Sequence, residues 1–400
     1  MKPTLFLLLL TTIIACQQPT TQPEPTLDGV WESVGYGRIV KIENGGYLMA
    51  ETTDISCIPL MDGDITEFGD ALTLVNDTIQ LVDGINRYYF TRIEDAPPVC
   101  KKDSPERTRA EGLAQDPEHN FEVLWETFND HYAYFELRKI DWDSMYKTYR
   151  PKITAETTPV ELYRVLNEML EAFNDGHIGL DAPDEIEDAA FAEDETEESA
   201  DAAPKPKRLR NYEVAGAVAR TYIPQGKEFR NNNIRWGKLV GNIGYLQLNQ
   251  MMGLADYGIS DTLSFRDYWM KYFELGEETD DSTGDELDGI NSVLDSIWKD
   301  VATTKALVID VRFNGGGKDE VGMALLSRLN GETRTVFTKK GRLGDGFTPI
   351  NAVALEGVEN PYPNPVYLLI STESASATEI MALCTLSMDN VTRVGSNTEG

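Results

Sequence analysis

The spacing of apolar residues changes several times along this chain, and each change predicts a different kind of structure. Between residues 27 and 98 short apolar runs, Gly37–Ile42, Tyr47–Thr52, Ala71–Val75, Thr78–Val82 and Arg87–Ile93, are separated by turn formers such as Asn44-Gly45-Gly46 and Asp83-Gly84. Runs of this length broken by Gly and Asn or Asp read as strands joined by tight turns. Residues 27–98 are therefore predicted to be a small all-β domain, a structural or docking module. From 117 to 182 the period becomes helical. Thr158, Pro159 and Glu161 make a capping box with proline in the first helical position, and Leu162, Val165, Leu166, Met169 and Phe173 recur on one face. That helix must stop near Asn174-Asp175-Gly176, so His177 leaves a tight turn. Residues 183–212 are acidic and Ala-rich, then basic from Lys205 to Arg210. They hold too few apolar residues to pack and are predicted to be a solvated linker. Over 213–400 apolar runs at Leu239–Leu248, Ala306–Arg312, Val366–Ser371 and Val391–Val394 alternate with helical patterns at Asp319–Leu329 and Ala377–Leu386. Such alternation predicts an α/β core with parallel strands and crossover helices, interrupted by an insertion over Asp256–Lys299.

At 400 residues the chain is too long for one ordinary core, in keeping with this division. Its formal charge of -31 argues against a nucleic-acid partner, because phosphate binding needs clustered Lys and Arg. At the N terminus Lys2, the apolar run Leu5–Ile14 and Ala15-Cys16 form a signal segment too short to span a bilayer as a permanent helix. The ending Ile13-Ile14-Ala15-Cys16 matches a bacterial lipoprotein site, which predicts a signal peptide over 1–16, lipidation at Cys16 and a Pro/Thr/Gln-rich tether over 17–26. An ordinary secretory signal with an incidental cysteine is the alternative. Both readings place the chain outside the cytoplasm, anchored in the cell envelope in the first. Gln17 is not an inner-membrane retention signal, so outer membrane or cell surface is preferred. In an oxidising compartment Cys57 and Cys100, which bracket strand-rich sequence, are the natural disulfide pair, and Cys384 reads as a buried small hydrophobe. The histidines, His119, His131 and His177, and the cysteines show no zinc spacing, so no metal and no cofactor is expected.

Two segments carry candidate chemistry. The strand ending in Gly315-Gly316-Gly317 could cradle a phosphate, but it lacks Gly-x-Gly-x-x-Gly, and Met323 and Ala324 stand where a phosphate loop needs Lys and Ser/Thr. Nucleotide is thereby disfavoured, and a glycine-lined backbone able to approach a reacting carbonyl remains. The second segment, Ser374-Ala375-Ser376-Ala377-Thr378-Glu379, opens a helix. Ser376 with Glu379 is a capping box. The same position between small neighbours at a helix N-terminus also suits a nucleophile whose intermediate carries negative charge. A serine needs a base. A lone histidine after a turn is commonly structural, yet it suits proton transfer near neutrality.

Taken together, Asn174-Asp175-Gly176-His177, Gly241–Leu246, Asp310–Gly317, Ser374–Glu379 and Gly395–Gly400 resemble, in order and spacing over roughly 117–400, the successive blocks of the C-terminal-processing, or tail-specific, serine peptidases. The resemblance implies a multidomain protein whose α/β core is of the ClpP- and crotonase-like type. It implies a serine peptidase acting on exported or unfolded polypeptides, with Ser376 as nucleophile and Ser374 as the alternative. Gly316 or Gly317, with the Ala377 amide, would supply the oxyanion donors. One branch of the family activates its serine with a lysine. The tricorn-core-like branch uses a histidine supported by a later glutamate, and His177 matches that histidine. Gly176 departs from this branch, which has a serine before the histidine. The lysine of the other branch would fall just after Gly400 and the glutamate further on, so the core is expected to be incomplete at its C-terminal end. No peptide-tail-binding domain is recognisable between His177 and Gly241. Two other readings stay open: a non-catalytic protein that binds peptides or apolar ligands on the same scaffold, and a Ser-Lys peptidase whose base is Lys318 or a residue beyond 400.

Overall fold

The computed structural model describes residues 26–191 and 209–399, apart from 231, 261, 280 and 345. The predicted signal peptide, the lipidation site at Cys16, nearly all of the tether and the centre of the predicted linker lie outside the described residues. No helix among the described residues is long and apolar enough to cross a membrane.

The N-terminal unit is an antiparallel sheet of strands β1 (Gly29–Ser33), β2 (Arg38–Glu43), β3 (Gly46–Thr52), β4 (Cys57–Asp64), β5 (Leu72–Val75), β6 (Thr78–Asp83) and β7 (Asn86–Ile93), in the order β4-β3-β2-β1-β7-β6-β5. Two strands, β1 and β4, have no counterpart among the predicted runs. In β1 Trp31 is fully buried but is followed by polar Glu32 and Ser33. The edge strand β4 contains Pro59 and Gly63 and leaves Ile58, Leu60 and Met61 exposed, so it carries no inward apolar alternation. The interior is filled by Trp31, Val40, Ile42, Met49, Ile79 and Phe90, and the space left there is about 20 Å³. A disulfide joins Cys57 on β4 to Cys100, with Cα atoms 5.3 Å apart. It closes a loop of 43 residues, for which chain entropy predicts about 4 kcal/mol of stabilisation. Replacing both cysteines with serine is expected to lower the denaturant midpoint of this unit, followed by Trp31 fluorescence, with no change in the α/β core that follows.

A helical unit follows, α1 (Pro105–Gly112), α2 (Pro117–His131), α3 (Phe135–Arg138), α4 (Trp142–Tyr149), α5 (Pro159–Glu171) and α6 (Asp184–Phe191). The capping box at the start of α5 is formed: Glu161 N donates to Thr158 Oγ1 at 3.3 Å and Thr158 N to Glu161 Oε2 at 2.8 Å. The buried face is rotated from the predicted one, with Tyr163 and Leu170 joining Leu166 and Met169, while Leu162 and Val165 are only half-buried. The reason is α6, which packs across this side. Arg164 donates to the carbonyls of Ala189 and Ala190, and the Tyr163 and Phe191 rings meet edge to face. The same contacts correct the reading of 183–212 as an unstructured linker: its first part is helical because it finds α5 to pack against, and its last residues start the next helix.

The α/β core contains α7 (Asn211–Tyr222), β8 (Lys227–Phe229), β9 (Ile234–Leu239), β10 (Ile243–Leu248), α8 (Phe265–Glu278), α9 (Ser282–Val301), β11 (Leu307–Asp310), α10 (Asp319–Ser327), β12 (Arg334–Lys339), β13 (Arg342–Leu343), β14 (Gly346–Phe347), β15 (Asn351–Leu355), β16 (Val366–Ile370), α11 (Ala377–Cys384) and β17 (Val391–Gly395). Its main sheet runs β17-β16-β11-β10-β9-β8, with β10, β11, β16 and β17 parallel and β9 antiparallel to β10. The predicted single strand Leu239–Leu248 is thus the end of β9, a tight hairpin turn through Gly241 and Asn242, both at positive φ, and β10. Alternation in β10 sends Leu246 and Leu248 into the main core with Ile290, Leu294, Val321 and Met381, and Tyr245 to the other face against Ala219 of α7. Hydrogen bonds tie the units together: Asn351 Nδ2 donates to Ile85 O at 2.9 Å and Arg342 Nη1 to Tyr132 O at 3.0 Å.

Candidate active site

Between β16 and α11 the chain reverses through a turn held from below by Asn314, which is fully buried. The Asn314 carbonyl accepts from Ala375 N at 3.1 Å and Thr378 Oγ1 at 3.0 Å. Its side chain donates to Leu248 O at 3.1 Å and accepts from Gly316 N at 2.9 Å. One residue therefore joins β10, the glycine loop and the serine turn. Ser374 belongs to the same scaffold: it is fully buried, its Oγ donates to Val311 O at 2.8 Å and accepts from Ser371 N at 3.0 Å. Ser376 is different. It is partly exposed and has φ 54 and ψ -122, a conformation that costs a non-glycine residue of the order of 1–3 kcal/mol and persists only where the surroundings impose it. Its amide donates to Glu379 Oε2 at 3.0 Å, one half of the predicted capping box. Strain at an exposed serine on a strand-to-helix turn is the geometry that presents a nucleophile above a sheet.

The glycine loop lies directly against this turn. Gly316 has φ 108, and a β-carbon there would stand 2.7 Å from Ser376 Cβ and 3.1 Å from Ala377 N, so only glycine permits the approach. Gly317 bridges to Met251 in a parallel ladder through Met251 N to Gly316 O and Lys318 N to Met251 O. In that pattern the Gly317 amide points away from Met251. Neither it nor the Ala377 amide has an acceptor among the described residues, whereas the Gly316 amide is occupied by Asn314. Lys318 Nζ points to Ser282 Oγ at 3.5 Å.

His177 stands on the turn after α5. Phe173, just before it, is buried among Phe128, Tyr132 and Trp142, with ring centroids 5.3, 4.9 and 5.5 Å away, and Arg138 Nη1 donates to Asn174 O at 2.7 Å. The His177 side chain is 59% exposed; its Nδ1 lies 3.4 Å from Oδ1 of Asp175, whose side chain is 8% exposed. Tyr132 donates to the other Asp175 oxygen at 2.9 Å. Burial alone would raise the Asp175 pKa, but the His177 amide, the Tyr132 hydroxyl and the charges of Arg138 and His177 hold it below the usual aspartate value. Burial, then the bond to Asp175, pushes the Tyr132 hydroxyl up to about 12, so it remains a donor. No hydrogen bond joins His177 to Ser376 in this structure. Their turns are linked through Glu399: its amide donates to Ser374 O at 3.1 Å, and its Oε1 would lie 2.8 Å from a β-carbon on Gly176.

Beside the serine turn opens a cavity of about 650 Å³, whose lining includes Phe313, Gly315 and Glu399 and, from α8, Trp269 and Phe273. The remaining predicted residues lie elsewhere. Cys57 and Cys100 form the disulfide of the β unit, and Cys384 is buried in the core, its thiol pushed up to about 12 by burial. Asn314, Asp175 and Glu399 were present in the sequence blocks but carried no assigned role there. Each acts through contacts to residues distant in the chain, so only a Gly-rich strand end and a helix stop were available as signals.

The family model for peptidase family S41 matches residues 242–400, and that for the tricorn protease C1 domain matches 113–171. No curated protein sequence matches the chain. Among solved structures, a provisionally assigned peptidase from Parabacteroides merdae ATCC 43184 superposes with a TM-score of 0.51 at 22% identity, covering 71% of this chain and 76% of its own. It shares the fold. The photosystem II D1 C-terminal processing protease, at TM-score 0.37, 14% identity and coverage of 71% and 81%, and the tricorn protease, at TM-score 0.32, 12% identity and coverage of 91% and 39%, are also found. The matched segments place residues 242–400 with peptidase family S41, the C-terminal-processing serine peptidases, and residues 113–171 with the tricorn protease C1 domain.

Proposed function

We propose that this chain hydrolyses peptide bonds of exported or unfolded polypeptides through an acyl-enzyme on Ser376, with His177 as general base. The observation that carries the reading is the strained, partly exposed Ser376 at φ 54, seated at the N-terminus of α11 against the glycine loop. An Nδ1–H directed at Asp175 leaves Nε2 of His177 free to take the Ser376 proton as Oγ bonds to the substrate carbonyl carbon. The developing oxyanion accepts from the amides of Gly317 and Ala377, reinforced by the helix N-terminus. The Gly316 amide is committed to Asn314, and that residue serves through its missing β-carbon. As the C–N bond breaks, His177 returns the proton to the leaving amine, and a water activated in the same way releases the acyl group. Export and attachment at Cys16 rest on the signal sequence.

A serine-reactive phosphonate tests this. The purified protein should cleave an unfolded polypeptide and carry the phosphonate on Ser376 by mass spectrometry; no cleavage and no adduct at Ser376 would overturn the reading. The binding-only alternative is favoured by one observation, the contact of His177 with Asp175 and not with Ser376, and it predicts that negative result.

Asp175→Asn is expected to reduce kcat about 10²-fold, because the carboxylate that orients Nδ1 is lost. It also alters stability with a defined sign. A carboxylate held below its usual pKa stabilises the fold fully at neutral pH, and that contribution disappears as pH falls through the depressed value. Melting curves should separate the wild-type and Asp175→Asn proteins at pH 7, begin to approach one another only below about pH 4 and meet once the pH is below the depressed value.

A further inference from the structure

Two guanidiniums line the cavity beside the serine turn, those of Arg230 and Arg235, and they differ in how they are neutralised. Arg230 is paired with Asp256 at 3.0 Å and also donates to Leu254 O at 3.1 Å. Arg235, on β9, has a single acceptor, Gln247 Oε1 at 3.2 Å, and Gln247 is itself fully buried. Among the described residues no carboxylate lies within ion-pair distance of Arg235. A second cation, Arg220, lies close to Arg235 although it does not itself line the cavity. A β-carbon on Gly216 of α7 would stand 3.0 Å from Arg220 Nη1 and 3.7 Å from Arg235 Nη2, so both guanidiniums crowd over a residue that has no side chain. Desolvation lowers the Arg235 pKa; Glu228, opposite it in the β8–β9 pair, counteracts this, and Arg220 adds to it.

A half-buried guanidinium with most of its donors unused, next to a like charge, is costly unless an anion arrives. Glu228 acts on Arg235 from across the strand pair, and no described carboxylate comes within ion-pair distance of its guanidinium. The carboxylates that also line the cavity are on the serine-turn side: Glu373, held by Asn211 Nδ2 at 2.6 Å, and Glu399, whose amide is bonded to Ser374 O.

We infer that Arg235, with Arg220 beside it, forms an anion subsite that receives the side-chain carboxylate of an Asp or Glu in the bound polypeptide. The planar fork of Arg235 suits bidentate carboxylate recognition. Trp269 and Phe273 also line the cavity and add apolar surface to it. The inference rests on the peptidase reading only for the cavity being the substrate groove; the subsite stands as a binding site in its own right. It makes Arg235 a specificity-determining residue, and it gives the peptidase a preference for acidic sequences despite its overall negative charge.

The test uses full-length protein carrying Ser376→Ala, so that binding is read without cleavage. Fluorescent peptides identical except for Glu or Gln at one position, scanned along the peptide, are each made with a free and an amidated C-terminus. The subsite predicts one position at which Glu binds about tenfold tighter than Gln in both end forms. Adding Arg235→Gln should bring that ratio to about one, and Arg220→Gln, at an exposed position, should reduce it about threefold. Equal affinity at every position, a ratio unchanged by Arg235→Gln and Arg220→Gln, or a preference abolished by C-terminal amidation would each overturn the assignment. Cleavage by the wild-type protein is measured separately on the same peptides. Glu-selective binding without cleavage overturns the peptidase reading and keeps the subsite, whereas cleavage with no acidic preference overturns the subsite and keeps the peptidase.

Discussion

Ser376→Ala is expected to lower kcat/KM for an unfolded polypeptide by about 10⁴–10⁶-fold, the loss that the proposed role of Ser376 as nucleophile of a serine, base and oxyanion unit implies. The contrast with Ser374 makes the prediction specific. Ser374 is fully buried and both of its hydroxyl bonds go to the backbone of the surrounding turns. Ser374→Ala should therefore cost about 1–3 kcal/mol of stability by leaving Ser371 N unpaired and taking one of two donors from Val311 O, which keeps the Asn314 amide, while the phosphonate still modifies Ser376. Equal loss of phosphonate labelling in both variants at a temperature where both are folded would show that the assignment of roles is wrong. The strain at Ser376 sharpens it further: Ser376→Gly removes activity but relieves the positive φ, and its melting temperature should lie above that of Ser376→Ala.

The second large effect is expected at Asn314, which does not approach the reacting atoms but holds the parts that do. Asn314→Ala strips the acceptor from the Gly316 amide and the donor from Leu248 O in a site with no access to water. Two buried backbone groups left unpaired should cost about 2–4 kcal/mol of stability. The glycine loop would then shift relative to the serine turn, and a misplacement of the order of 1 Å lowers kcat about 10²-fold. Asn314→Asp is the informative partner variant. Its carboxylate still accepts from Gly316 but faces the Leu248 carbonyl without a proton to give. A positioning role predicts a fall in kcat with KM little changed, and phosphonate labelling slowed in parallel. If Asn314→Asp lowered stability but left kcat intact, Asn314 would be structural and no more.

Much of this architecture was legible in the linear pattern, and the failures have identifiable causes. The start of α5 was readable because a capping box is a local device, complete within Thr158–Glu161. The parallel strands of the core were readable because strands covered on both faces are continuous apolar runs. Where the reading failed, the deciding contact lay far away in the chain. Residues 184–191 form a helix through Arg164 and Tyr163 of α5, and β4 pairs with β3 at a sheet edge where composition leaves no inward face. Tyr163 and Leu170 join the buried face of α5, with Leu162 and Val165 half-buried at its edge, because α6 packs across that side.

The division at the site follows the same physics. Sequence by itself determined the residue types and their order: a serine opening a helix with Glu379 three positions on, a run of glycines at a strand end, and a histidine after a helix stop. It also determined which chemistry those types allow. Tertiary structure alone decided that Ser374 is a buttress and Ser376 the strained, accessible hydroxyl, that the Gly316 amide is spent on Asn314 while those of Gly317 and Ala377 are open, that Asp175 lies beside His177, and that no described carboxylate comes within ion-pair distance of Arg235. Local backbone preferences act over a few residues and can be read from them. Burial, strain and the pairing of charges depend on which distant segments the fold brings together, and no spacing within one segment contains that information.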